Sequence, residues 1–327
     1  MLQTGDPLPV SDHFALTELA RGVYAALGRE GSPTFSNAGI VDLGQQTLVF
    51  DAFELPEAGA DLRSAAEELT GRRVSYLVIS HSHSDHTLGS QAFGPEVTVV
   101  SAPAIRDEIA ASTGWVWHYK EHPEELEDVL QGERERLAAA TDPDLRASIA
   151  RTITRLEHLQ AALPSLELRL PDLLFDTRLV LHGTQRRAEL RTVAPGHTVC
   201  DVYLSLPDEG IIFLGDLGFF QSQPFAVFAD LPAWTAFLEK MEGTGVEVFV
   251  PGHGPLGTRK DLVLLRQYLA ALQQMVARVV SEGGSVEDAL KGYLPPPFES
   301  WIRANPSRWE GNVRSLYEKL ARQGDQG

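Results

Sequence analysis

The stretch "SHSHSDH", Ser80 to His86, places three histidines and an aspartate within six residues of a chain that holds 10 histidines in all. Neutral imidazole nitrogen and carboxylate oxygen are ligands suited to zinc, iron or manganese. Along an extended segment alternate side chains point the same way, so His81 and His83 share a face and can reach one ion. Asp85 and His86 follow on the loop or first helical turn leading into "TLGSQAF", where they can aim at a second position. A solvated histidine-rich loop is the competing reading of such a run. A structural zinc site is normally closed by four ligands, often cysteines. Cys200 is the only cysteine here, so an ion held by this set keeps open positions for water or substrate.

Three more candidates lie downstream: His197 in "APGHT", Asp216 in "IIFLGDLGF" and His253 in "VFVPGHGP". Each ends an apolar, strand-like run and stands beside glycine, which permits tight turns and close approach to a ligand. Their presence weighs against a merely solvated loop. Cys200, three residues after His197, reads as a buried inert thiol rather than a ligand.

The elements that must position these residues alternate in character. Short apolar runs such as "VYAAL", "NAGIVDLG" and "QTLVFDAF" between 23 and 53 predict strands with tight connections. Residues 58–70 have helical spacing, and "VSYLVIS" (74–80) predicts a buried strand ending at the histidine cluster. Residues 121–163 are charge-rich, with Leu145, Ile149, Leu156, Leu159 and Leu163 at helical spacing. "TDPD" at 141–144 supplies a cap followed by a first-turn proline. This predicts a helical hairpin, within an insertion spanning about 115–165, between two halves of an α/β core. Strands return with "LLFDTRLVLHG", "AELRTVAPGH" and "DVYLSLPDEGIIFLGD". A helix near 232–242 precedes "VEVFVPGH", and 259–327 is mainly helical, broken by "GYLPPPF".

The 327 residues, 43% hydrophobic and 22% charged, suit a single large soluble domain with an insertion. The formal charge of −17 repels phosphate backbones, which argues against nucleic acid as partner. "MLQTGDPLPVSDHF" lacks the basic and apolar regions of a signal peptide, and no apolar run approaches the ~18–20 residues that span a bilayer. The expectation is a soluble, cytoplasmic protein with no membrane partner.

Taken in order, His-x-His-x-Asp-His, Gly-His-Thr, Gly-Asp and Pro-Gly-His-Gly resemble the motifs of the metallo-β-lactamase-fold superfamily, from about Asn37 to Gly257. The resemblance implies a four-layer αββα sandwich with metals at one edge between two sheets. It implies that His81, His83 and His197 hold one metal, that Asp85, His86 and His253 hold another, and that Asp216 bridges them. Asp51, ending "TLVFD", matches the family's buried aspartate, which orients ligands rather than binding metal. His13, His118, His122, His158 and His182 match no ligand position.

Such a centre implies a metal-dependent hydrolase with two divalent ions, zinc first and manganese or iron next. A metal-bridging hydroxide would cleave an ester, lactone, thioester or amide bond of a small molecule. Asp85 is placed to relay the proton. Ser80, Ser82 and Ser84 read as small loop residues. An aspartate at position 216 departs from class B β-lactamases, which carry cysteine or serine there. No glutathione-binding pattern of a glyoxalase II-like thioesterase is recognised in the C-terminal region, and Leu88 departs from the glycine of the commonest subfamilies. The alternative is an iron-dependent oxidoreductase of the persulfide dioxygenase type. Specificity is expected from "GWVWHYKEH" (Trp115, Trp117, Tyr119) and "GFFQSQPFAVF" (Phe219, Phe220, Phe225, Phe228), which line a pocket, pack the insertion, or form a homodimer contact through it.

Overall fold

A computed structural model describes residues 7–29, 31–32, 34–111 and 114–324. Residues 1–6, where the N-terminal stretch read above begins, lie outside the described residues.

Strands β1 (Phe14–Ala20), β2 (Val23–Gly28), β3 (Ala38–Asp42) and β4 (Thr47–Phe50) pair antiparallel in sequence order. Helix α1 (Pro56–Thr70) starts on a proline, whose fixed φ suits a first turn, and stops at Gly71 in the left-handed conformation. It carries the chain across to β5 (Val74–Val78), parallel to β4, as a crossover must. The short α2 (Ser84–Thr87) and a 3₁₀ turn (Leu88–Ala92) lead to β6 (Thr98–Ser101) and α3 (Pro103–Ala110).

Next come α4 (Trp115–Glu121), α5 (Pro123–Ala139) and α6 (Pro143–Ala162), before β7 (Leu173–Leu174) closes a seven-stranded sheet. The insertion therefore holds a short helix ahead of the α5–α6 hairpin. Asp142 caps α6 by accepting from the Leu145 amide, with Pro143 at the first turn. Ile149, Leu156 and Leu159 are buried, whereas Leu145 is only partly so.

The second sheet has five strands: β8 (Arg178–His182), β9 (Arg187–Val193), β10 (Asp201–Leu206), β11 (Ile211–Phe219) and β12 (Val248–His253). Helix α7 (Leu231–Glu242) links β11 to its parallel partner β12. The rest is helical: α8 (Arg259–Ser281), α9 (Val286–Leu290), α10 (Phe298–Ala304) and α11 (Pro306–Gly324). α8 starts with a capping box between Thr258 and Asp261.

Side-chain alternation along β11 assembles the layers. Ile211 and Phe213 join the core shared with the first sheet, while Ile212 and Leu214 face α7 and α8. Phe213 lies against Phe50, ring centroids 6.0 Å apart, and against Gly39, where an added Cβ would fall 2.4 Å from its ring. The two sheets thus pack face to face with helices outside them, the αββα sandwich. No helix among the described residues is long and apolar enough to cross a membrane.

Candidate metal centre

Five segments, three of them following strands and two of them strand residues, bring the chemistry together at one edge of the sandwich. Asp51 follows β4, His81 to His86 follow β5 and His197 follows β9, while Asp216 lies within β11 beside its irregularity at Gly215 and His253 is the last residue of β12. β5 ends at Val78, earlier than its apolar run suggests, because the next amides are diverted. Ile79 still donates to Val100 of β6, but the Ser80 amide donates to Asp51 Oδ1 at 2.8 Å. His81 and His83 therefore present themselves from a loop rather than from one face of a strand.

They still meet. His81, His83, His197 and Asp216 form one cluster, in which His197 Nε2 lies 3.2 Å from His83 Nδ1, and Asp85, His86 and His253 form a second. Asp216 Oδ2 lies 3.4 Å from His197 Nε2 and 3.7 Å from His81 Nε2. Asp216 Oδ1 lies 3.0 Å from His86 Nε2 and 3.2 Å from His253 Nε2. Asp85 Oδ2 is 3.3 Å from His253 Nε2. One carboxylate oxygen thus faces each cluster, and the seven residues fit a dinuclear metal site.

Asp51 sets the tautomers of a ligand in each cluster. Its buried carboxylate accepts from the Ser80 hydroxyl and from His86 Nδ1, both at 2.8 Å. With that hydroxyl donating to Asp51, His81 Nδ1 donates to Ser80 Oγ at 2.9 Å. Both imidazoles point Nε2 inward, where neither makes a well-aligned hydrogen bond although His86 Nε2 is 3.0 Å from Asp216 Oδ1, and in the neutral form each would offer a lone pair to a cation. Asp216 Oδ1 is likewise buried without a well-aligned hydrogen bond, with only the ion-pair contacts to His86 and His253 beside it. Orphaned buried acceptors are costly unless something positive meets them, which is what a cation does. The backbone enforces the arrangement. Asp51 adopts φ 63°, and a Cβ on Gly252 would fall 2.0 Å from Asp216 Oδ1.

Electrostatics agree with that fit. Burial holds His81 well below the usual imidazole range and lowers His197 to about 3, so both are neutral donors. Burial is the largest influence on His86 and His253 and opposes their charge, but the carboxylates of Asp216 and Asp85, joined at His86 by Asp51, together overcome it and raise both. Burial also opposes ionisation of Asp85 and Asp216, yet the surrounding imidazoles keep both carboxyls well below their ordinary range. Without cations the two carboxylates rely on imidazolium protons, which metal ions would replace.

The serines do more than fill a loop. Ser80 links Asp51 to His81, Ser82 Oγ donates to Glu108 at 2.7 Å, and Ser84 Oγ donates to Glu54 at 3.0 Å. Small size predicts none of these partners, and the three carboxylates among them lie far away in sequence. Asp201 was also invisible to spacing. It accepts from the Thr198 amide and hydroxyl, which shapes the His197 turn, and burial raises its carboxyl to about 7.

The aromatic candidates divide. A cavity of about 750 Å³ opens on His83 and is lined by Trp115, Trp117, Leu168, Val199 and Phe228 among others. Phe225 does not line it but sets its ring edge-on to His83 at 5.7 Å. Tyr119 packs against the core beside Trp115 and is not part of the lining. Phe219 is fully buried and stacks on His253 at 4.7 Å and 13°, behind the ligands. Phe220 is buried against Gly257. Trp234 was not anticipated. Its ring lies 5.3 Å from that of His197, and its indole N–H donates to Leu217 O.

The family model of the metallo-beta-lactamase superfamily matches residues 31–253, and the chain belongs to that superfamily, whose members are largely metallo-hydrolases. Among solved structures it is similar to a metallo-beta-lactamase from Pontibacter korlensis, at 18% identity and TM-score 0.56, covering 79% of this chain and 99% of that one. It is also similar to the metallo-beta-lactamase FIM-1 from Pseudomonas aeruginosa in its mono-zinc form, at 17% identity and TM-score 0.55, covering 81% and 98%. A third is DIM-1 metallo-beta-lactamase, at 11% identity and TM-score 0.55, covering 79% and 97%. At such identities the likeness is one of fold. No curated protein matches the chain.

Proposed function

We propose that this protein is a hydrolase that uses two divalent metal ions, zinc by preference, to cleave an ester, lactone, thioester or amide bond in a small molecule with an apolar group. The observation that carries this is Asp216, with one oxygen turned to each of two histidine-bearing clusters. Nitrogen and oxygen donors without cysteine suit zinc and leave positions for substrate. A pair of such cations supplies Lewis acidity, polarising a scissile carbonyl and bringing the pKa of water towards ~7.

The chain's own groups do the rest. Asp51 and Ser80 hold His81 and His86 in the tautomers that point Nε2 inward. Asp85, beside His253, is the carboxylate placed to take the proton released on attack. Phe228, Trp115 and Leu168 bind the apolar part of the substrate beside His83 and keep water from it.

A panel of lactones, esters and thioesters, offered to the zinc-loaded protein, tests this reading. Turnover is expected with at least one class, and Asp216→Ala is expected to abolish it while the circular dichroism spectrum stays native. Full turnover by that variant would refute the two-metal reading.

A further inference from the structure

Glu54 is a carboxylate 1% exposed, in the turn between β4 and α1, and its charge is met from the helical insertion. Arg155 of α6 reaches across 101 residues of sequence and grips it two-pronged, Nε to Oε2 at 2.9 Å and Nη2 to Oε1 at 2.6 Å. Ser84, next to the ligand Asp85, joins them. Its hydroxyl donates to Glu54 Oε1 at 3.0 Å and lies 3.4 Å from Arg155 Nη2. The guanidinium lies over the ring of Phe35 at 4.7 Å and that of Trp115 at 5.5 Å, so aromatic faces from two other segments hold it.

The same stretch is tied down at its other atoms. Ser36 Oγ donates to Asp85 O, and the Ala52 amide donates to His86 O at 3.1 Å. Arg155 is the contact that α6 supplies to this cage, acting on the loop through Glu54 and Ser84 and by its charge on nearby Asp85. It touches no ligand atom. We infer that Arg155 is a positioning residue through which the helical insertion braces the Ser84–Asp85–His86 turn, and with it the second metal position. On this basis the insertion is part of the metal centre's support rather than only a cover over the pocket. The inference rests on the two-ion reading proposed above.

Removing Arg155 alone would strand a buried carboxylate, and such a variant could fail to fold. The deciding variant is therefore the pair Arg155→Met with Glu54→Leu, which takes both charges away together; Arg155→Lys, which keeps the charge but loses the fork, accompanies it. Metal-stripped wild type and both variants are titrated with Zn²⁺ against a chromophoric chelator. Melting temperature and hydrogen exchange of amides 82–88 are measured on the stripped proteins.

The wild type is expected to take up two ions. In both variants the first ion is expected to bind as in the wild type and the second ~10–100-fold more weakly, the usual cost of losing a ligand's support. Amides 82–88 exchange faster, while the double variant melts near the wild-type temperature. A second ion held as tightly as in the wild type by both variants overturns the inference. So does equal weakening of both ions in step with a lower melting temperature, the mark of a general packing role. A wild type that takes up fewer than two ions overturns the two-ion reading and this inference together; unchanged variants beside a two-ion wild type overturn the inference alone.

Discussion

Asp51 contributes no ligand atom to the metal clusters, yet it governs two of them. Its carboxylate fixes the ring nitrogens of His81, through Ser80, and of His86 directly, so one buried group serves both clusters. Gly252 works by absence. Gly252→Ala would press a methyl group on Asp216 Oδ1, and turnover is expected to fall ~10–100-fold in a protein that still folds, as judged by circular dichroism; wild-type turnover would show that Asp216 has room to move. Cys200 is a control for chemistry that should not occur. Burial, with Asp201 and Glu108 nearby, pushes its thiol up to about 11, and it is 4% exposed. Iodoacetamide at pH 8 is expected to leave it unlabelled until the chain is denatured, and rapid labelling of native protein would contradict this.

At the scale of elements, the proposed hydrolase would draw its specificity from the loop after β11 and from the insertion. Phe228 is 63% exposed and overhangs His83 with ring centroids 5.9 Å apart, so it has surface to offer a substrate. Phe228→Ala is expected to raise KM for an aromatic substrate about 10-fold with kcat little changed, the equivalent of about 1.4 kcal/mol of lost apolar contact. An unchanged KM would remove that loop from substrate binding.

The candidate ligands were legible in the sequence because each ends an apolar run at a glycine or in a tight cluster, a local signal, while their division into two sets came from the resemblance to a family's ordered motifs. The bonds between distant segments were not. Glu54 and Arg155 are separated by 101 residues, and nothing in either neighbourhood marks the pairing. Phe219 and Phe220 illustrate the same limit. Composition places aromatics near a site, but only folding decides which stack behind ligands and which face a cavity. The end of β5 was misjudged because "VSYLVIS" stays apolar past Val78, while Asp51 captures the Ser80 amide.

At the scale of the molecule, two sheets, an insertion and a helical C-terminal region converge on one edge where seven candidate ligand side chains meet. The formal charge of −17 works, on average, against association with anionic polymers. Everything proposed for this protein depends on two ions being held there. The most direct test is metal analysis of protein purified without added metal, with oxygen uptake on thiol substrates followed in parallel. About two zinc or manganese ions per chain, and no oxygen uptake, are the expected result. A single iron with oxygen consumption would contradict the hydrolase and point to an iron oxidoreductase built on the same ligands.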